Sequence, residues 1–92
     1  MLSFSHEVFY EVATHLSFSK AAASLYISQP AITKHIQSLE KIYKISLFER
    51  KGITVSLTTE GKILLQYIIQ AKELQRQLEF DMTRQKTIHQ AK

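Results

Sequence analysis

Helix breakers are almost absent from this sequence: Pro30, Gly52 and Gly61 are the only prolines and glycines in 92 residues. Proline removes a backbone donor and glycine frees the chain for positive φ, so each marks a turn or the start of an element. The rest is left to be mostly helical. From Ser3 to Leu16 the apolar residues Phe4, Val8, Phe9, Val12, Ala13 and Leu16 recur at three- and four-residue intervals, which predicts an amphipathic helix. Ser17 interrupts, and Phe18 to Leu25 reads as a short Ala-rich helix capped by Ser17 or Ser19. After the brief connection Tyr26–Ile27, Ser28 suits an N-cap, with Pro30 in the first turn where its missing N–H breaks no helical bond. That helix carries Ile32, Ile36, Leu39 and Tyr43 on one stripe.

Two short apolar pieces follow, Ile45 to Glu49 and Ile53 to Leu57, around Lys51-Gly52. In the second, Ile53, Val55 and Leu57 alternate with Thr54 and Ser56, the pattern of a β-hairpin with glycine at the bend. Thr58 or Thr59 then caps a last helix expected to run to about residue 88. At 1.5 Å per residue that is on the order of 45 Å, longer than a small domain can cover. There is no internal repeat and no low-complexity stretch.

A chain of this length makes one small domain with a modest core, which oligomerisation would help. Apolar residues make up 45% of it, too many for a disordered chain. The absence of cysteine excludes disulfides and Cys-ligated metal sites. His6, His15, His35 and His89 are scattered without metal-ligand spacing, so no metal and no cofactor is expected. Nor is there a carboxylate pair, a Ser-His-Asp set or a Gly-rich phosphate loop to suggest an enzyme. No apolar run approaches membrane-spanning length, and the N-terminus lacks a basic region followed by an apolar core. The chain is therefore expected to be cytoplasmic, with no membrane partner. Its net charge of +4 agrees with an anionic partner without naming one. Residues 1–58 and 59–92 each hold six Lys/Arg against four Asp/Glu, so a nucleic-acid footprint must come from placement rather than from a basic tail.

Two short helices joined by a tight turn, the second opening with polar residues, form the helix-turn-helix pattern. Small Ala21 and Ala22 permit close approach of the two helices, and Leu25, Ile32, Ile36 and Leu39 fill the angle between them. Facing away from that core are Gln29, Pro30, Thr33, Lys34 and Gln37, near the start of the second helix, where such helices meet base edges. Gln pairs with adenine, Lys donates to guanine O6/N7, and Thr or Pro contacts a thymine methyl. The Ser28 hydroxyl and the free amides of the first turn suit a phosphate. Periodicity by itself favours the plainer reading, in which Ser28 is only a cap and Lys34, His35 and Gln37 only a solvated face.

The ordered run Ser17, Phe18, Ser19, Ala21, Ala22, Leu25, Ile27, Ser28, Gln29, Pro30, Ala31, Ile32, Thr33, Ile36, Leu39 and Glu40, then Leu47, Phe48 and Arg50, then Leu57, Thr58 and Gly61, resembles the N-terminal domain of LysR-type transcriptional regulators. The resemblance covers about Phe4 to Gly61 without insertion. It implies a mostly α fold: a winged helix-turn-helix of three helices and a two-stranded β wing over residues 1–58, with a long linker and dimerisation helix over 59–92. It further implies sequence-specific binding of double-stranded DNA by a bacterial regulator. The recognition helix 28–43 would enter the major groove and the wing 48–57 would reach the minor groove or backbone. Gln29, Pro30, Thr33 and Lys34 would face base edges, and Ser28, Thr33, Arg50 and, on the preceding helix, Lys20 would hold phosphates. Two departures stand out. Leu16 and Lys44 occupy positions where the family often has glycine, so those helices are expected to end differently. The wing has few arginines, leaving Arg50 and Lys51 as its charges and predicting a weaker electrostatic anchor.

On the last helix Leu64, Ile68, Ala71, Leu74, Leu78 and Met82 follow one stripe, with polar residues thickening past 71. Ile63, Leu64, Tyr67 and Ile68 are expected to cover the domain core, but Leu74, Leu78 and Met82 lie too far along. A narrow seam on a projecting helix predicts a second helix against it. The resemblance implies antiparallel pairing with a second copy, a homodimer on an inverted-repeat operator. Phe80 lies off that seam. The family's C-terminal effector-binding domain is not expected within these 92 residues, and higher oligomers would need it. The closing run RQKTIHQAK is expected to fray. Winged helices also dock proteins, and a protein-interaction module is the alternative reading.

Overall fold

Three serines start the three short helices in the same way. In the computed structural model, which describes residues 2–90, Ser3, Ser17 and Ser28 have extended backbones, and their hydroxyls accept the amides of His6, Lys20 and Ala31. Each thereby satisfies one donor that a helix start leaves free. The helices they begin are α1 (Phe4–His15), α2 (Phe18–Leu25) and α3 (Gln29–Tyr43). Strands β1 (Phe48–Lys51) and β2 (Thr54–Leu57) follow, and α4 (Thr59–Gln90) completes the described chain. Ser17 rather than Ser19 is the α2 cap; the Ser19 hydroxyl bonds that of Ser17. Thr58 caps α4, accepting the Gly61 N–H at 2.9 Å while donating to the Ser46 carbonyl at 2.7 Å.

The short helices also end alike. Leu16, Tyr26 and Lys44 adopt the left-handed conformation, with φ of 49°, 57° and 58°. The expectation that helices lacking glycine at 16 and 44 would end differently is overturned. The cap amides of Leu16 and Lys44 still reach back to the carbonyls of Val12 and Glu40, and these bonds hold the conformation against a cost of about 1 kcal/mol per residue.

Val8, Phe9, Val12 and Ala13 from α1, Phe18, Ala21 and Ala22 from α2, and Ile32, Ile36 and Leu39 from α3 form one core with Leu47 and Ile68. The ends of the predicted stripes fall outside it: Phe4, Leu16 and Tyr43 are each more than 40% exposed. Phe4 lies at the rim, edge-on to His35.

β1 and β2 pair antiparallel, with Phe48 opposite Leu57 and Lys51 opposite Thr54, leaving Gly52 and Ile53 as a two-residue turn. Gly52 has φ of +62°, the positive value such a turn takes at its first central residue. The first strand starts later than the expected Ile45, because the N–H of Leu47 turns to α3 rather than to the partner strand. That N–H donates to the Glu40 carboxylate, and the Leu47 carbonyl accepts the Thr58 N–H. Ile53 is also not on the inward side with Val55 and Leu57; it stands fully exposed at the tip.

At the start of α4, Gly61 lies so close to the Leu47 carbonyl that a β-carbon would collide with it. The helix then buries Ile68 and half-buries Leu64 and Leu65 against the core. Ile63 and Tyr67, expected to cover that core, face solvent instead. Beyond the head α4 projects, and the molecule measures 61 × 26 × 20 Å. The helix continues through Gln90 where fraying was expected; positions 91 and 92 of that run lie outside the described residues.

Candidate nucleic-acid interface

Helix α3 has two chemically distinct sides. Ile32, Ile36 and Leu39 are at most 3% exposed, whereas Ser28, Gln29, Pro30, Lys34 and Gln37 are exposed and Thr33 is half-buried. Helical spacing places these polar positions on one stripe from the N-terminal end. The Ser28 hydroxyl accepts from Ala31 N–H, which leaves its own proton for an acceptor outside the helix. His35 is not part of a solvated face. Its Nδ1 lies 2.9 Å from the Ser5 hydroxyl, and its ring meets Phe4, so it fixes α3 to α1. His6 does the same further along, 2.9 Å from the Tyr43 hydroxyl.

The ribbon is locked to α3 at its root by the Glu40–Leu47 hydrogen bond of 2.7 Å. Glu40 has a positional role that helical periodicity does not reveal, because its partner is a backbone amide in the following loop. Arg50 leaves β1 toward α2, and its guanidinium lies over the Phe18 ring, 3.9 Å from the centroid. Two open depressions meet at Arg50: one includes Thr33, Gln37 and Glu40, the other Ser19, Gln29 and Gly52. The tertiary structure thus brings Gln29, Thr33, Gln37 and Arg50 together. Lys51 is exposed and lines neither depression; strand alternation turns it to the opposite side of the ribbon from Arg50. Lys20 is exposed on the first turn of α2, with its backbone N–H held by Ser17. Among the described residues no group of three or more His, Cys, Asp or Glu side chains gathers as a metal site, and no helix is long and apolar enough to cross a membrane.

Of the six seam positions, Ile68 needs correction. It is 2% exposed and belongs to the subunit's own core, because the Gly61–Leu47 contact lays that turn of α4 against the head. Leu64 and Ala71 are half-buried, while Leu74, Leu78 and Met82 are exposed. Ile63 and Tyr67, solvent-facing, continue this apolar surface back to Tyr43 and Ile45 beside the head. On another face Arg76 donates twice to Glu73, at 2.6 and 3.0 Å, and this pairing holds the Glu73 carboxyl below its ordinary range.

The profile of the family described as bacterial regulatory helix-turn-helix protein, lysR family, matches residues 5–62. An uncharacterized HTH-type transcriptional regulator in the lacR 5′ region of Staphylococcus xylosus is 41% identical over 75 residues, which is 82% of this chain and 28% of that protein. The chain therefore spans under a third of that relative's length. A BenM DNA-binding domain solved in complex with catB site 1 DNA is similar at a TM-score of 0.87 and 34% identity, covering 97% of this chain and 96% of that one. A CbnR DNA-binding domain solved with DNA is similar at 0.78 and 31% identity, covering 91% and 95%.

Proposed function

The chain belongs to the lysR family of bacterial regulatory helix-turn-helix proteins, and from that premise we propose that it binds double-stranded DNA sequence-specifically as a homodimer on an inverted-repeat operator. The observation that carries this reading is the polar stripe of α3 standing beside Arg50, with the opposite side of the helix fully engaged in the core. In the proposed complex α3 enters the major groove. Gln29, Pro30, Thr33, Lys34 and Gln37 meet base edges, since such helices read with their N-terminal residues. Ser28, Thr33, Lys20 and Arg50 hold phosphates, and the ribbon 48–57, with Lys51, lies along the minor groove or backbone. The similarity to two domains solved in complex with DNA supports binding to DNA. The proposed role carries with it a bacterial cytoplasmic location, with DNA and a second copy of the chain as partners.

The dimer rests on Leu74, Leu78 and Met82, which are 48–64% exposed on a helix that has left its domain. Paired α4 helices would set two copies of α3 in successive major grooves. Selection of bound sites from random duplex DNA tests the proposal as a whole. Two inverted half-sites about one helical turn apart, or a multiple of it, are expected. No enrichment overturns DNA recognition, and enrichment of a lone half-site overturns the dimer.

A further inference from the structure

Arg50 has one face of its guanidinium on an aromatic ring. The Phe18 ring beneath it is 7% exposed and packs edge-on to Phe48 at 5.7 Å, and Phe48 in turn meets Phe9 of the core at 5.3 Å. The chain of rings runs from the centre of the domain to the guanidinium. Among the described residues no carboxylate pairs with Arg50, so its in-plane N–H groups stay available. A long side chain that roams in the free protein loses rotamer freedom when it grips a ligand; one already stacked loses less.

We propose that Phe18 is a positioning residue for DNA binding: its ring holds the Arg50 guanidinium on the seam between α3 and the ribbon, aimed outward before a phosphate arrives. The inference rests on the assignment of Arg50 to the DNA backbone made above. It separates two roles in the short run Ser17–Lys20, where Ser17 starts the helix and Phe18 builds a platform. A phosphate contact is independent of base sequence, so the test uses the full chain and a mixed-sequence duplex.

Phe18→Leu keeps an apolar side chain of similar burial and removes the π face. It is expected to weaken binding about threefold to tenfold. Phe18→Tyr, which keeps the ring, is expected to bind as the parent. In an Arg50→Ala background Phe18→Leu should change affinity by no more than about twofold, because the partner it positions is gone. Equal losses in both backgrounds would mean that Phe18 only supports the fold, and the inference fails. If Phe18→Leu binds as the parent while Arg50→Ala binds poorly, the inference fails and the phosphate assignment stands. If Arg50→Ala itself leaves affinity unchanged, both fall. One measurement needs no variant: in the NMR spectrum of the free protein the Arg50 δ protons should be shifted upfield by the Phe18 ring current, and unshifted resonances would overturn the platform.

Discussion

The Lys72 ammonium donates to a Glu7 carboxylate at 2.9 Å and lies 4.6 Å from the centroid of the Tyr10 ring, joining the long helix to the first one. Lys72 is more than three turns into α4, past the buried Ile68. The contact therefore bears on the direction in which the helix leaves the domain. Both side chains are more than a third exposed, so solvent screens the pair. Lys72→Ala should lower the free energy of unfolding by less than about 1 kcal/mol in urea denaturation. A loss well above that would mean that the ion pair holds the fold and does not merely orient a helix.

Gly61 is a stronger structural constraint than its helical position suggests. Gly61→Ala drives a β-carbon into the Leu47 carbonyl and the Leu57 side chain. Alanine normally favours a helix over glycine by about 1 kcal/mol, yet here a net destabilisation of about 1–3 kcal/mol is expected. A stabilised variant in the same denaturation experiment would show that α4 shifts freely against the ribbon.

Binding to duplex DNA should weaken with salt. Contact with about four to six phosphates per subunit gives a slope of log K against log salt concentration of about −4 to −5 per subunit engaged. Fluorescence anisotropy titrations at several salt concentrations measure it. A flat response would leave protein docking as the role of this winged helix.

Gln29 and Lys34 stand exposed in the N-terminal part of α3. Replacing either by Ala should cost about 1–3 kcal/mol at the selected site and relax the sequence preference there. Equal weakening on every sequence would reassign the residue to the DNA backbone.

Leu78 is 48% exposed on the projecting part of α4. Leu78→Asp places a charge in the proposed seam, where no partner is provided, and should yield a monomer by light scattering. A dimer that persists would move the interface elsewhere, with the Tyr43–Tyr67 surface the nearest apolar alternative.

Helix positions, the Ser28 cap and the hairpin turn were legible because they are local: a hydroxyl reaches an amide three residues on, and glycine permits a positive φ. The polar stripe of α3 was equally legible, since Ile32, Ile36 and Leu39 mark its opposite side. The left-handed ends at Leu16 and Lys44 were not, because backbone hydrogen bonds and surrounding packing outweigh a preference of about 1 kcal/mol for glycine. Nor was the side of α4 that meets the head. Leu64, Ile68, Tyr67 and Ile63 are all apolar and were all expected to cover the core; the approach of Gly61 to Leu47 decides that Ile68 turns inward and Tyr67 outward. The stacking of Arg50 on Phe18 and the Glu40 carboxylate on the Leu47 amide likewise join residues on different elements. The amino-acid order determines which short segments form and which residue types they display. Only the packing of those segments decides which side chains meet, because the contacts that choose between equally apolar or equally polar neighbours are distant in sequence.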